Sequence, residues 1–323
     1  MPGAWRSLRR RILTPDDSET SLRKRGFHEK DDASRDLLEK VGRTFLAGFG
    51  HAVQARDPLD AEQPLEAIEH DFRGFAYEGA AMGLGILDGL GVTRGRRVER
   101  FLTGRAADHV YMVYVGVGWA MARIPRFRWK AVLPGDPRLR WLALDGYGFH
   151  QAYFRTDRYV RDRYRDAVPS WPFGSGGYAC RAVDQGIGRA LWFVEGTDVD
   201  RVVATIEGFP ADRRGDLYSG AGLAATYAGG VSDTELESFW RKAGDHRPAV
   251  AQGSAFGAKA RLRAGLATPH TGRATAVFCG TSPEEAAAMT DTALRDLPAD
   301  GPMPAFEVWR QRIANEFVSL GRY

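Results

Sequence analysis

A stretch of aromatic residues that contains one aspartate and one histidine is the part of the sequence best suited to acid–base chemistry. It runs from Trp141 to Phe154 and includes Asp145 and His150. In a helix, His150 shares a face with Gly146, and Asp145 lies one step around that face. Because burial moves the pKa values of such groups toward neutrality, this pair could exchange protons with a ligand. The alternative is that His150 is a core histidine held by hydrogen bonds.

Glu78 and His109 are the other two candidate catalytic residues. Glu78 and Asp145 both stand directly before the first glycine of a short glycine-rich phrase that occurs six times, and five of the six residues at this position are polar. The six are Glu78, Val115, Asp145, Gln185, Ser219 and Gln252. If their helices stack in register, these residues form a polar row that either lines a groove or joins neighbouring helices by hydrogen bonds. His109 stands at the start of an apolar helix.

Nine further side chains, most of them aromatic, are predicted to contact a substrate, because they could sheathe an apolar chain beside the candidate acids and bases. They are Tyr114, Trp119, Trp141, Tyr147, Phe149, Tyr153, Gln185, Arg189 and Trp192. The sequence has no flavin, haem or iron–sulfur motif and no metal-type spacing of histidine or cysteine. Neither a cofactor nor a metal is therefore predicted.

The elements that must position these residues are predicted from the glycine-rich phrase itself. Its pattern is G-x-[GA], and its first glycine recurs at intervals of 37, 30, 40, 34 and 33 residues. The first glycines are Gly79, Gly116, Gly146, Gly186, Gly220 and Gly253. A mean period near 35 residues indicates helical hairpins. Glycine costs about 1 kcal/mol relative to alanine inside a helix, so its recurrence indicates close helix crossings. The alternative is that the phrases are loop turns.

Residues around the phrases predict where helices begin and which shorter helices connect them. Four aspartates stand eight residues before a first glycine and are predicted to cap helices, namely Asp71, Asp108, Asp212 and Asp245. Apolar residues at three- and four-residue steps predict a further helix from Leu37 onward. Between and after the phrases, shorter helices are predicted at residues 98–102, 199–206, 234–243 and 283–297.

The sequence therefore predicts an all-α fold, a solenoid-like array of helical hairpins with the period of a TPR and with small Gly/Ala packing faces. Residues 1–34 are rich in charge and are predicted to be a mobile arm, followed by a single helical-repeat domain over residues 35–323. The chain of 323 residues has only two cysteines, which fits the cytoplasm, and its net charge of +4 does not require nucleic acid. Its longest apolar run, residues 110–122, is too short to cross a bilayer.

Several longer phrases of the sequence carry a resemblance to a known family. They are Arg73–Phe75, Tyr114–Arg123, Leu139–Gln151, Gly188–Glu195, Asp216–Gly222, Thr268–Thr271 and Val308–Arg312. Together they span about residues 35–315, and over this length the chain resembles the UnbL family, bacterial proteins of unassigned function that are associated with enediyne natural-product gene clusters. That resemblance supplies no established catalytic residues.

The resemblance implies an accessory role in enediyne antibiotic biosynthesis, beside a polyketide synthase and with UnbU-like membrane and UnbV-like partners. The protein would act on, or hold, a linear polyene during core formation, in the cytoplasm or at the membrane surface through its partners. Oxidation of a polyene needs an electron acceptor, which a partner would have to supply. Whether the protein is an enzyme stays open.

A carrier of the polyene and a scaffold without chemistry are the alternatives to an enzyme. Helical repeats commonly bind proteins. Arginines from Arg155 to Arg165, which alternate with aspartates, could dock an acidic partner or could pair among themselves in solvent.

Overall fold

The computed structural model describes residues 2–91, 96–166, 171, 173 and 176–322. These residues are about 75% helical and contain no strand, so the predicted all-α class is confirmed. The α-helices within the described ranges are α1 (Pro2–Leu13), α2 (Leu22–Arg25), α3 (Asp32–Gln54), α4 (Glu62–Glu66), α5 (Arg73–Leu90), α6 (Arg97–Phe101), α7 (Val110–Met121), α8 (Trp129–Val132), α9 (Arg140–Phe154), α10 (Gly176–Val194), α11 (Val199–Glu207), α12 (Ala211–Ala228), α13 (Asp233–Lys242), α14 (Arg247–Arg263), α15 (Pro269–Phe278), α16 (Pro283–Ala293) and α17 (Ala305–Ser319).

Seven long helices form a row in which each packs against the next one along the chain. They are α3, α5, α7, α9, α10, α12 and α14. Neighbours in the row run in the same direction, as α3 and α5 show, because Gly79 lies against Phe45 and Gly83 lies against Phe49. Outside the row, α11 packs on α13 and α13 on α15, while α16 and α17 cover α14. We call these seven helices the helix row.

The glycine-rich phrases lie inside the helices of this row, at the points where the helices cross. The first glycine of a phrase faces the preceding helix, and in the four phrases with a second glycine that residue faces the following helix. A Cβ added at Gly220 would lie well under 3.0 Å from the carbonyl oxygen of Gln185, and one at Gly188 equally close to that of Leu217. Each crossing therefore brings backbone against backbone, with no room for a side chain.

Helix α3 belongs to the same row, although the sequence prediction did not include it among the phrases. Gly48 lies against the backbone of Ala76, and the carbonyl of Phe45 lies against Gly79. These contacts match those of a second glycine and of the residue before a first glycine. Leu46 stands where the first glycine would be. No row helix precedes α3 in the described residues, so a bulky residue fits at that position.

The prediction that four aspartates cap the phrase helices is wrong. The residues directly before α5, α7, α12 and α14 are Phe72, His109, Pro210 and His246, and none of them makes a side-chain capping bond. The helices begin one or two residues later or earlier than the aspartates require, because short turns such as His70–Phe72 and Gly244–His246 lead into them.

The segment predicted to be a mobile arm, residues 1–34, contacts the helix row in the described part of its length. Helix α1 packs on α3, where Arg9 donates to the carbonyl oxygens of Val53 (2.5 Å) and Ala55 (3.0 Å). Leu22 and Phe27 are buried in the hydrophobic core. This segment therefore forms one side of a cavity beside the helix row. None of the helices in the described residues is long and apolar enough to cross a membrane.

Candidate ligand-binding cavity

A cavity of about 430 Å³ lies beside the helix row, and every helix of the row contributes to its wall. The end of α1 and the following residues, up to Thr20, close one side, and Phe306 and Trp309 of α17 close another. The lining is mostly aliphatic and aromatic. A volume in this range suits one elongated small molecule. We call this space the central cavity.

Three charged side chains from three helices meet in the wall of the central cavity. Arg189 of α10 donates to the carboxylate of Asp145 on α9, and its other terminal nitrogen lies 3.9 Å from the carboxylate of Glu78 on α5. All three are almost fully buried. The arrangement follows from the positions of these residues in the glycine phrases. Glu78 and Asp145 each stand directly before a first glycine, and Arg189 stands one turn beyond the corresponding position of α10. We call this cluster the charged trio.

Burial raises the pKa values of both carboxylates of the charged trio, and Arg189 opposes the rise. Burial raises the pKa of Glu78 to about 7, although Arg189 opposes this shift. Burial also raises the pKa of Asp145, against the opposing effect of Arg189. Burial would lower the pKa of Arg189, but the two carboxylates outweigh it and raise the pKa. Glu78, whose pKa lies near neutral pH, can therefore take up or release a proton.

Three side chains that line the central cavity carry buried polar atoms without partners. Among the described residues, neither ring nitrogen of His150 has a partner in hydrogen-bonding geometry, and the same holds for the Trp119 indole nitrogen and the Tyr227 hydroxyl. Burial lowers the pKa of His150 to about 3, helped by Arg123, so the imidazole is neutral. Buried polar groups are normally paired. These atoms could therefore bond to the polar group of a ligand.

The residue pair predicted for acid–base chemistry is not joined in the structure. Asp145 bonds to Arg189, whereas His150 lies farther along α9 and packs against the rings of Phe154 and Trp119, with centroid distances of 4.6 and 5.5 Å. Both residues line the central cavity. His150 is neutral and makes no bond to Asp145, so it can serve as a hydrogen-bonding group of the wall.

The predicted polar row divides into two parts. Glu78 and Asp145 line the central cavity, as does the apolar Val115. Gln185, Ser219 and Gln252 instead connect helices, because the Ser219 hydroxyl donates to Gln252 (2.7 Å) and the Gln185 amide lies 3.4 Å from Ser219. The first half of the row therefore lines the central cavity, and the second half holds α10, α12 and α14 together.

Seven of the thirteen predicted site residues line the central cavity, namely Glu78, Trp119, Asp145, Phe149, His150, Tyr153 and Arg189. The other six lie elsewhere in the protein. His109 stacks on Tyr77 with ring centroids 3.8 Å apart, and burial lowers its pKa to about 4. Gln185 belongs to the hydrogen-bond network between α10, α12 and α14.

The remaining four predicted contact residues are aromatic side chains with structural partners. Tyr114 accepts from the backbone nitrogen of Asp136 (2.9 Å), and Trp192 donates to the carbonyl of Gly229 (2.8 Å). The Tyr147 hydroxyl donates to Asp166 (2.8 Å). Trp141 packs edge-to-face on Tyr178 with centroids 4.9 Å apart. These contacts hold the helices that carry the cavity wall.

Sequence reasoning missed several residues of the site. Phe75, Met82 and Tyr227 line the central cavity, and Arg310 extends the polar row by donating to Gln252 (3.2 Å) and Asp216 (2.8 Å). Tyr227 stands seven residues after the first glycine of its phrase, Gly220, as Tyr153 stands seven residues after Gly146. That correspondence is the signal that could have revealed it.

Replacing Glu78 by glutamine is expected to stabilise the protein at high pH. The pKa of Glu78 is raised in the folded state, so folding favours the protonated form and ionisation opposes folding. The cost grows as the pH rises from the unfolded pKa near 4.5 and levels off above about 7. Urea unfolding should show equal stability at pH 4 and a gain of up to about 3 kcal/mol at pH 8. The exposed variant Glu237→Gln serves as control, and the same pH profile in both variants would refute the assignment.

A known family matches almost the whole chain. Residues 4–317 match a family of proteins of unknown function, DUF1702. The chain belongs to the DUF1702 family. The match covers the helix row. It also covers most of α1 and the following segment that closes one side of the central cavity, so both belong to the region that defines the family. The chain matches no curated protein and no solved structure.

No metal site accompanies the cavity in the described ranges. Nowhere in them do three or more histidine, cysteine, aspartate or glutamate side chains come together in a way that could hold a metal ion. Cys279 is buried, and burial raises the pKa of its thiol to about 12, which keeps the sulfur protonated.

Proposed function

We propose that the protein binds a linear, largely apolar polyene in the central cavity as an accessory protein of enediyne biosynthesis. The observation that carries the proposal is the composition of the cavity, an apolar and aromatic wall with one charged trio and several unpaired polar atoms. UnbU-like and UnbV-like proteins and a polyketide synthase are the proposed partners, in line with the resemblance of the sequence to the UnbL family. The seven row helices are proposed to be a helical-repeat array that wraps this ligand.

The apolar part of the ligand would contact the aromatic wall. Trp119, Phe149 and Tyr153 pack around one another, with Trp119 and Phe149 centroids 5.1 Å apart and Phe149 and Tyr153 stacked at 6.0 Å. Conjugated chains are flat and polarisable, so they pack favourably on such rings. Phe75 and Phe45 line the same space.

The polar end of the ligand would lie at the charged trio. Glu78 can accept or donate a hydrogen bond according to its protonation, and the Tyr227 hydroxyl lacks a partner among the described residues. Binding there would satisfy groups that otherwise stay buried and unpaired, which gains free energy for the correct ligand. A carbonyl, hydroxyl or carboxylic acid at the end of the chain fits this chemistry.

Binding can be tested by filling the cavity. Ala260 lines it and is only partly buried, so Ala260→Phe should be tolerated while occupying ligand space. We expect a fluorescent conjugated tetraene fatty acid to bind the wild type and to bind the variant at least about tenfold more weakly. Ala276→Phe, at an exposed position of α15, is the matched control. Equal affinity in all three proteins would place the ligand outside this cavity.

A catalytic version of the proposal needs more than binding. Asp145→Asn and His150→Ala variants that support full product formation would remove it and leave a carrier. Mass spectrometry of the compound that co-purifies with the protein, or that accumulates when its gene is deleted, identifies the ligand. A compound unrelated to polyenes would overturn the proposed role.

A scaffold without a ligand is the alternative from a different functional class. Its proposed docking face, Arg155 to Arg165, is partly self-paired, because Arg161 pairs with Asp157 (3.2 Å) and Arg165 with Asp212 (2.7 Å). This internal pairing leaves less charge for a partner. Charge reversal at Arg158 separates the two classes, since a scaffold would lose its complex and a ligand carrier would keep its ligand.

A further inference from the structure

Helix α1 turns Arg9 and Arg10 toward the protein, and it turns Arg11 and its apolar side chains toward solvent. Arg9 donates to the carbonyls of Val53 and Ala55, and Arg10 donates to the Gln54 side chain (2.9 Å). On the opposite side, Trp5, Leu8 and Ile12 are 64%, 45% and 68% exposed. Their spacing of three and four residues makes them one stripe of the helix. A helix in a water-exposed surface normally buries such a stripe.

Two more exposed apolar side chains lie at the same end of the helix row. Leu90 ends α5 and is 60% exposed, and Phe127 is 83% exposed. Arg128 fixes the Phe127 turn to the end of α5 by donating to the carbonyl oxygens of Gly89 (2.9 Å) and Gly91 (2.5 Å).

The ends of α3 and α5 coincide because these helices run in parallel, and α1 is attached to the end of α3. Arg9 of α1 is also close enough to Arg97 for the two charges to lower the pKa of Arg9 further, beyond the effect of its burial. Arg97 in turn pairs with Asp88 near the end of α5. The five exposed side chains therefore belong to one region of the surface. We call Trp5, Leu8, Ile12, Leu90 and Phe127 the exposed apolar face.

The segments that carry most of this face are strongly basic. Residues 5–13 include four arginines and no acidic residue, and residues 123–130 include three arginines and one lysine, again with no acidic residue. Arg9, Arg10, Arg126 and Arg128 bond to other parts of the protein, whereas Arg11 is exposed. A second copy of the chain would bring like charges together at this face. Nucleic acid would neutralise the charge but would leave Trp5 and Ile12 without an apolar partner. An anionic lipid bilayer satisfies both, since it combines negative headgroups with a hydrocarbon layer.

The exposed apolar face borders the opening of the central cavity. Ile12 belongs to both, since it lines the cavity and is mostly exposed. Leu13 and Arg123 also line the cavity. A bilayer at this face would therefore meet the cavity at its rim.

We propose that α1 together with Leu90 and Phe127 docks on an anionic membrane surface and turns the mouth of the central cavity toward the hydrocarbon. An apolar ligand could then pass between bilayer and cavity without crossing water. The stripe of α1 would lie in the headgroup region, as interfacial helices do.

The test is co-sedimentation of the full chain with vesicles of phosphatidylcholine, with and without phosphatidylglycerol. Binding is expected to the vesicles with phosphatidylglycerol and to weaken with added salt. The double variant Trp5→Ser, Ile12→Ser should bind at least about tenfold more weakly, and Arg11→Glu should lose about as much. The matched control is Met303→Ser with Leu320→Ser, which removes two exposed apolar side chains outside this face.

Three outcomes would overturn the proposal. The first is equal sedimentation of wild type and double variant. The second is binding to duplex DNA that Arg11→Glu removes and the double variant retains. The third is that the wild type forms a dimer and the double variant is a monomer. The substituted residues are exposed, so an unchanged melting temperature is expected and shows that the fold is intact. Ala260→Phe should leave vesicle binding unchanged, which separates this proposal from ligand binding in the cavity.

Discussion

Replacing Gly220 by alanine should lower the free energy of unfolding by about 3 kcal/mol or more. The added methyl group would collide with the carbonyl oxygen of Gln185 and the backbone nitrogen of Arg189, both part of α10. A backbone cannot rotate away as a side chain can, so α10 and α12 would have to separate. Circular dichroism during urea unfolding measures the effect.

Gly215 provides the control within the same helix. It also lies in α12, but a Cβ there would have its nearest neighbour 3.9 Å away, at His246 Nδ1. Gly215→Ala should therefore be neutral or stabilise the protein by up to about 1 kcal/mol, because alanine is the better helix former. Equal effects of the two substitutions would mean that the helices do not cross at Gly220.

Replacing Arg189 by methionine should cost about 3–5 kcal/mol, because it leaves the carboxylates of Asp145 and Glu78 buried without their counter-charge. The same change at Arg161, which pairs with Asp157 in solvent, should cost no more than about 0.5 kcal/mol. Chemical unfolding of both variants beside the wild type decides the matter.

The loss in Arg189→Met should depend on pH in a defined direction. Without the guanidinium, the pKa values of Asp145 and Glu78 rise further in the folded state, so the folded state holds protons that the unfolded state releases. The loss should be largest above pH 7 and should shrink toward pH 4, where both carboxylates are protonated. Adding Asp145→Asn to the variant should restore part of the stability. If the loss of stability is the same at pH 4 and pH 8, it arises from lost packing and not from the unpaired charges.

The sequence predicted well those features that depend on residues close together in the chain. The helices expected at residues 199–206 and 234–243 are observed as α11 (Val199–Glu207) and α13 (Asp233–Lys242), with capping bonds from Asp198 and Ser232. The glycine phrases predicted close crossings because glycine that recurs at one position of several helices indicates that close packing offsets its cost. Helix starts based on Asp71 or Asp245 were wrong, because a capping residue and an acidic residue in a preceding turn look alike in sequence.

The site was less predictable, since it depends on which helix faces which. Asp145 and His150 are five residues apart in one helix, yet the partner of Asp145 is Arg189, which is 44 residues away. His109 and His150 both stand beside apolar stretches of the sequence. His109 nevertheless stacks on Tyr77 outside the central cavity, whereas His150 lines the cavity. Helix α17, which brings Arg310 to the polar row, has no glycine phrase and was not predicted.

The position of Leu46 in α3 has a consequence for reading related sequences. Each glycine phrase marks one helix of the cavity wall. The first helix of the row, α3, carries the bulky Leu46 in place of the first glycine. If the helix row is a repeat array, as proposed, the number of wall helices in a relative can be counted from its amino-acid sequence. If one whole phrase and its connecting helix were lost or gained, the neighbouring row helices could still cross through the same contact of glycine with backbone. A relative with one phrase more should have a wider cavity and bind a larger ligand, and a relative with one phrase fewer should bind a smaller one.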